Sequence, residues 1–151
     1  MKTKSFIASI SRTPIGSFQG KLSTIPATRL GALVIKDAYK KINIKSNNID
    51  EVIMGNVLSA GLGQAPTRQA ALYANIPKSV ECLTINKVCG SGLKAVMIAD
   101  QAIRCGDANI IIAGGMENMS QVPYYLIESR KGMRMGHKKV IDGIIHDGLW
   151  D

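Results

Sequence analysis

The chain has 151 residues, of which 46% are hydrophobic, 20% charged and only 5% aromatic, so one globular domain with a core of Ile, Leu, Val, Ala and Met is expected. No apolar run approaches the roughly 20 residues that cross a bilayer, and Met1–Ser11 lacks the apolar stretch and cleavage site of a secretion signal. No membrane association and a cytoplasmic location are therefore the expectations. The formal net charge of +8 comes from lysines scattered along the chain. It argues against nucleic-acid binding, which favours dense basic runs with interleaved aromatics, and it fits a small phosphorylated ligand better.

In chain order, Lys4–Ser11 is apolar and β-prone through Phe6, Ile7 and Ile10, and predicts a first strand broken by Arg12-Thr13-Pro14-Ile15-Gly16. Thr24–Thr28 opens a helix with Thr24 or Thr28 as N-cap, and Leu30, Leu33, Val34 and Ala38 carry it at helical spacing to about Lys41. A turn at Asn47–Asp50 leads to a short apolar strand, Glu51–Leu58, and a flexible loop, Ser59–Gly63. Ala65–Ala74 predicts a second helix with Pro66 in its first turn.

Leu83–Val88 reads as another strand, leading directly into Cys89 and a helix over Ser91–Arg104 that Gly106 ends. That helix is apolar nearly all round and is expected to be buried on most sides. Ala108–Ala113 is a continuous apolar strand ended by Gly114-Gly115. The predicted fold is α/β, a βαβαβαβ alternation forming a mainly parallel sheet with helices on both faces. From Ser120 onward no clear period remains, and the stop at Trp150-Asp151 reads as a cut inside a larger unit.

The chain holds three cysteines, Cys82, Cys89 and Cys105, expected to be reduced, and no Cys-x-x-Cys or Cys/His cluster, so no metal site is expected. Cys82 and Cys105 read as small semi-buried hydrophobes. Cys89 is different. An apolar strand ends on it, Gly90 and Gly92 follow, and a helix begins. The carboxyl ends of parallel strands collect reactive groups, and a helix start favours a thiolate, the nucleophilic form. The alternative for Cys89 is a buried core thiol.

The segment Ile85–Ala95, with Asn86-Lys87-Val88-Cys89-Gly90-Ser91-Gly92 at its centre, resembles the active-site segment of thiolases. Ala113–Ser120, Arg12–Gly16 and Gly63–Ala70 are similar to further thiolase motifs. Lys131–Gly136 and Asp147–Leu149 resemble the loop region of the family's acetyl-CoA acetyltransferases. The resemblance covers essentially the whole chain. It implies an N-terminal half-domain core over residues 1–119 and the start of a substrate-binding and oligomerisation loop region over residues 120–151. It also implies a buried central helix starting at Cys89.

The implied activity is reversible Claisen condensation of two acetyl-CoA to acetoacetyl-CoA plus coenzyme A, a step of fatty-acid metabolism, through an acetyl-cysteine intermediate. Cys89 would be the nucleophile and its backbone N–H an oxyanion donor. Coenzyme A thioesters are the implied substrates, with no further cofactor, and a homodimer or homotetramer is the implied assembly. The family's catalytic histidine and second cysteine lie in Gly-His-Pro and Cys-Ile-Gly-Gly-Gly motifs, and neither motif occurs here. His137 and His146 match neither and read as surface or interface residues. A catalytically incomplete fragment that complements a C-terminal thiolase half is therefore the alternative, and a ketoacyl synthase on the same fold is a third. Glu117 and Asn118 read as turn residues holding a strand end rather than substrate contacts. Gln64 and Arg68 fit either a dimer contact or a loop cap. Met116, Met119, Met133 and Met135 fit either an acyl pocket or ordinary packing.

Overall fold

A computed structural model of the chain describes residues 4–150. Three parallel strands form its sheet: β1 (Glu51–Gly55) lies between β2 (Glu81–Ile85) and β3 (Ile111–Gly115). Three helices alternate with them: α1 (Ala27–Lys41), α2 (Pro66–Tyr73) and α3 (Ser91–Cys105). The fold is α/β, as the alternation of apolar runs and helical periods predicts.

Side chains along a strand point to opposite faces, and β1 feeds both. Val52 and Met54 pack with Ile35 of α1 and with Ala70, Ala71 and Ala74 around α2. Ile53 packs on Ala95 and Ala99 of α3. All three β1 residues are essentially inaccessible, as expected for a central parallel strand covered on both sides.

Several expectations need correction. Lys4–Ser11 forms no strand and pairs with none among the described residues, and Phe6, Ile7 and Ile10 are exposed. Side chains tie it down instead: Ser5 donates to Asp100, Ser11 donates to Asp37, and Lys41 donates to the Ile10 carbonyl. β-propensity measures fit to a neighbouring strand, and the segment has no neighbour to fit. Among the described residues the sheet accordingly has three strands rather than four.

The helix after Cys89 is not buried on most sides. Ser91, Ala95 and Ala99 face the sheet, whereas Leu93 is 70% exposed and Met97 47%. A narrow sheet covers one helix face only. Neither Thr24 nor Thr28 caps α1, because Pro26 takes the N-cap position and its carbonyl accepts from Arg29 and Leu30. Pro66 does occupy the first turn of α2, and Gly106 ends α3 in a left-handed conformation, both as predicted.

Strand limits shift at the carboxyl ends. β1 stops at Gly55 and β2 at Ile85, so the residues after each leave the sheet to build loops. β3 runs through Gly114 and Gly115 instead of stopping before them. Beyond residue 120 there is a short antiparallel pair, β4 (Tyr124–Tyr125) with β5 (Ile141–Asp142), followed by one π-helical turn at Ile145–Leu149.

Candidate active site

The loops leaving the carboxyl ends of β1, β2 and β3 surround an open cleft of about 650 Å³. Its walls include Arg12–Phe18, Leu30 and Val34 of α1, Val57, Leu58, Cys89, Met116–Ser120 and Leu149. Segments far apart in the chain are thus brought together where an open parallel sheet normally binds ligands. The Arg12–Gly16 and Ala113–Ser120 motifs meet Cys89 in this cleft, whereas Gln64, Arg68, Met133, Met135, His137 and His146 are not among its lining residues.

Cys89 is exposed in the cleft wall on a sharp turn between β2 and α3. The helix begins at Ser91 with Gly90 at the N-cap, so Cys89 lies just ahead of the cap rather than on the first helical turn. The turn is strained. Val88 has φ +47°, a left-handed conformation that is a true outlier for a β-branched residue. Local hydrogen bonds hold it there. Asn86 Oδ1 accepts from the Val88 N–H at 2.8 Å, and the Gly90 N–H donates to the Lys87 carbonyl at 3.1 Å. The Ser91 hydroxyl accepts from the Lys87 N–H at 2.8 Å and donates to the Val88 carbonyl at 2.6 Å.

Glycines let α3 come this close to the sheet. A Cβ on Gly55 would lie 2.6 Å from Ser91, and one on Gly115 would lie 3.4 Å from the Gly92 Cα. The approach at Gly55 admits no side chain, whereas the contact at Gly115 is a close van der Waals one.

Glu117 ties two loops of the cleft together. Its carboxylate accepts from Asn56 Nδ2 at 2.8 Å, from the Val57 N–H at 2.8 Å and from the Leu58 N–H at 3.2 Å. Burial pushes its pKa above the ordinary glutamate value, and the three hydrogen bonds oppose that rise without cancelling it. Asn56 is 3% exposed and also donates to the Met116 carbonyl at 3.1 Å. Its Oδ1 is buried without a partner, yet reversing the amide would set an oxygen against the Met116 and Glu117 oxygens. Asn118 Nδ2 reaches the Leu22, Ser23 and Ile25 carbonyls and fixes the loop ahead of α1. Glu117 and Asn118 therefore hold the strand end, the reading favoured from the sequence.

The other candidates also find places. Arg68 donates to the Val80 and Lys78 carbonyls, so it caps the loop after α2. Gln64 accepts at its carbonyl from Gln69 Nε2 at 2.8 Å. Met116 is buried in the core and Met119 is part-exposed, while Met133 and Met135 are exposed. His146 lies beside Asp147 at 2.8 Å on the surface. Burial pushes the Cys82 thiol up, with Arg68 opposing that rise. Cys105 is exposed at the far end of α3 rather than semi-buried. Among the described residues, no group of three or more His, Cys, Asp or Glu side chains could hold a metal ion. No described helix is long and apolar enough to cross a membrane.

Asn56, Gly55 and Ser91 were not singled out from the sequence. Asn56 carried a readable signal, since it is a polar residue inside the apolar run Glu51–Leu58. Ser91 carried one too, because a serine at a helix start is placed to bond its own turn.

Comparison with known proteins agrees with this geometry. The family model described as "Thiolase, N-terminal domain" matches residues 5–151. The chain is 57% identical over 145 residues to acetyl-CoA acetyltransferase 2 of Arabidopsis thaliana, covering 96% of this chain and 36% of that protein. It is 54% identical over 145 residues to the acetyl-CoA acetyltransferase of Pseudomonas aeruginosa, covering 96% and 37%. It is 49% identical over 151 residues to that of Schizosaccharomyces pombe, covering 100% and 38%. Among solved structures, the Acat5 thiolase of Ascaris suum in complex with coenzyme A superposes with a TM-score of 0.92 at 43% identity, covering 97% of this chain and 38% of that one. The chain thus spans well under half the length of these relatives. From Arg12 through the Cys89 turn to the Glu117 loop, the cleft is assembled from the segments that carry the family motifs, and the chain belongs to the thiolase family.

Proposed function

We propose that the chain supplies the acyl-accepting half of a thiolase active site, with Cys89 as nucleophile in acetyl transfer from acetyl-CoA. The observation that carries this reading is the exposed thiol on a strained, hydrogen-bonded turn inside the 650 Å³ cleft. The Cys89 sulfur attacks the thioester carbonyl, a carbon–sulfur bond forms, and the thiol proton passes on to the departing coenzyme A sulfur. The backbone N–H of Cys89, one residue ahead of the Gly90 cap, stabilises the oxyanion. Collapse expels coenzyme A and leaves S-acetyl-Cys89. Attack by the α-carbon of a second acetyl-CoA on that acetyl group then releases acetoacetyl-CoA and the free thiol.

The second step needs an acid and a base, and the family's Gly-His-Pro and Cys-Ile-Gly-Gly-Gly motifs that hold them are not in this sequence. We therefore read residues 1–119 as one half-domain and residues 120–151 as the start of the loop region of a site that a C-terminal thiolase half completes. The uncovered apolar face of α3, with Leu93 and Met97 exposed, supports that complementing role. Assembly as a homodimer or homotetramer belongs to the same proposal.

Mass spectrometry of the chain after incubation with acetyl-CoA tests the reading. The expected result is one acetyl group on the peptide containing Cys89 and none after C89A. Differential alkylation with iodoacetamide at neutral pH should label Cys89 well ahead of Cys82. Equal labelling of both would sink the nucleophile assignment.

A further inference from the structure

We propose that Ser91 is a positioning residue for Cys89: its buried hydroxyl holds Val88 left-handed and thereby aims the thiol into the cleft. This inference rests on the acyl-transfer reading for its purpose, but its geometry stands independently of it.

Val88 is the residue immediately before the nucleophile. Its φ of +47° is disfavoured for any residue with a Cβ and most of all for a β-branched one. Its own packing does not enforce that angle, because the side chain is 54% exposed. The constraint comes from the backbone groups around it. Ser91 Oγ takes the Lys87 N–H at 2.8 Å and gives its single proton to the Val88 carbonyl at 2.6 Å. One hydroxyl thus ties the Lys87 N–H to the Val88 carbonyl and fixes the peptide plane after Val88, while the plane before it is held by Asn86 Oδ1 on the Val88 N–H and by the Gly90 N–H on the Lys87 carbonyl. The Ser91 N–H adds a further bond to the same carbonyl at 3.1 Å.

The brace is itself immobile. Ser91 is 4% exposed and packs against β1 so tightly that a Cβ on Gly55 would meet its Cβ and its carbonyl carbon at 2.6 Å. Asn86 contributes a second bond, to the Val88 N–H, but it acts from the same side of the turn as the strand. Ser91 supplies the side-chain link from the turn to the buried helix start, beside the backbone bond from the Gly90 N–H to the Lys87 carbonyl. Without its hydroxyl, Val88 can relax to negative φ, and that rotation swings the Cys89 Cα–Cβ vector away from the cleft.

The test compares S91A with wild type by two readouts. The first is the ratio of the Cys89 alkylation rate with the bromoacetyl thioester of coenzyme A to that with iodoacetamide. In both reactions the thiolate sulfur displaces halide from a methylene carbon, and the thiol proton goes to solvent. Only the thioester reagent needs the thiol aimed along the cleft, so a merely structural loss shifts both rates together. The expected result is a fall of about tenfold in this ratio, the order of effect that a misaimed reacting group produces. The second readout is the Cα and Cβ chemical shifts of Val88, which should leave the left-handed range in S91A. Val88 shifts that stay left-handed overturn the proposal, as does a ratio within about twofold of a wild type that prefers the thioester. If S91A does not fold, S91C keeps the shape with a weaker donor and acceptor and should move both readouts the same way. A wild-type chain showing no preference for the thioester reagent sinks the acyl-transfer reading instead, and the Val88 shifts alone then decide the brace.

Discussion

Gly55 and Ser91 approach so closely that a Cβ added to Gly55 would lie 2.6 Å from the Cβ of Ser91. The central strand and the helix that follows the nucleophile are in backbone contact at the floor of the cleft. The lack of a side chain at one position in β1 therefore controls how the turn carrying Cys89 is seated.

G55A should force α3 off the sheet. Overpacking of this kind costs about 1–3 kcal/mol, because the atoms it strikes are backbone and a buried Cβ rather than a flexible tip. Urea unfolding should show that loss, together with slower reaction of Cys89 with the coenzyme A thioester reagent. An unchanged midpoint would mean that the helix start yields freely.

Glu117 makes stability pH-dependent. Burial raises its pKa above the ordinary glutamate value, so the native state binds this proton more tightly than the unfolded chain does. The sign follows from that. Its contribution is complete below the unfolded value and is lost as pH rises through the higher native one. In E117Q, stability should decline less than in wild type as pH rises above the ordinary glutamate range. The same slope in both proteins would remove Glu117 as the cause.

N56D places a second carboxylate where the Asn56 amide now lies, 2.8 Å from Glu117, at a site 3% exposed. It removes a donor and buries an uncompensated charge, a change worth about 3 kcal/mol or more at neutral pH. The deficit should shrink in acid, where the pair shares a proton. Chemical denaturation at pH 5 and pH 7 checks both parts, and a loss below about 1 kcal/mol at pH 7 would contradict the clamp.

Tyr125 should titrate well above an ordinary tyrosine. Its hydroxyl donates to Asp147, which pushes its pKa up to about 12 and holds the Asp147 carboxyl below its usual range. Its raised value stabilises the fold at lower pH, and that stabilisation fades as pH climbs through about 12. Ultraviolet titration of Y125F should lose this highest phenolate step; a step that persists there belongs to another tyrosine.

The α/β alternation, the Pro66 helix start, the Gly106 stop and the placement of Cys89 at a strand-to-helix junction were all legible in the sequence. Each depends on neighbours within about one helical turn or on a short motif, and such signals survive in one dimension. The strand expected at Lys4–Ser11 shows the limit. Its apolar, β-prone composition suits a strand, but a strand exists only when another lies beside it, and none does among the described residues. The helix α3 shows the same limit from the other side, since its apolar residues exceed what a three-stranded sheet can cover.

By itself, then, the sequence determined the family motifs, their order and the residue types of the cleft. Tertiary structure decided how those residues act. Glu117 finds Val57 across a separation of 60 residues, Asn118 finds Ile25 across 93, and the contact of Gly55 with Ser91 sets the seat of the nucleophile turn. The physical reason is that a polar group's partner and a backbone's closest approach are set by where distant segments pack. Local pattern records only that a residue is polar, small or apolar, and the packing of the sheet determines what it touches.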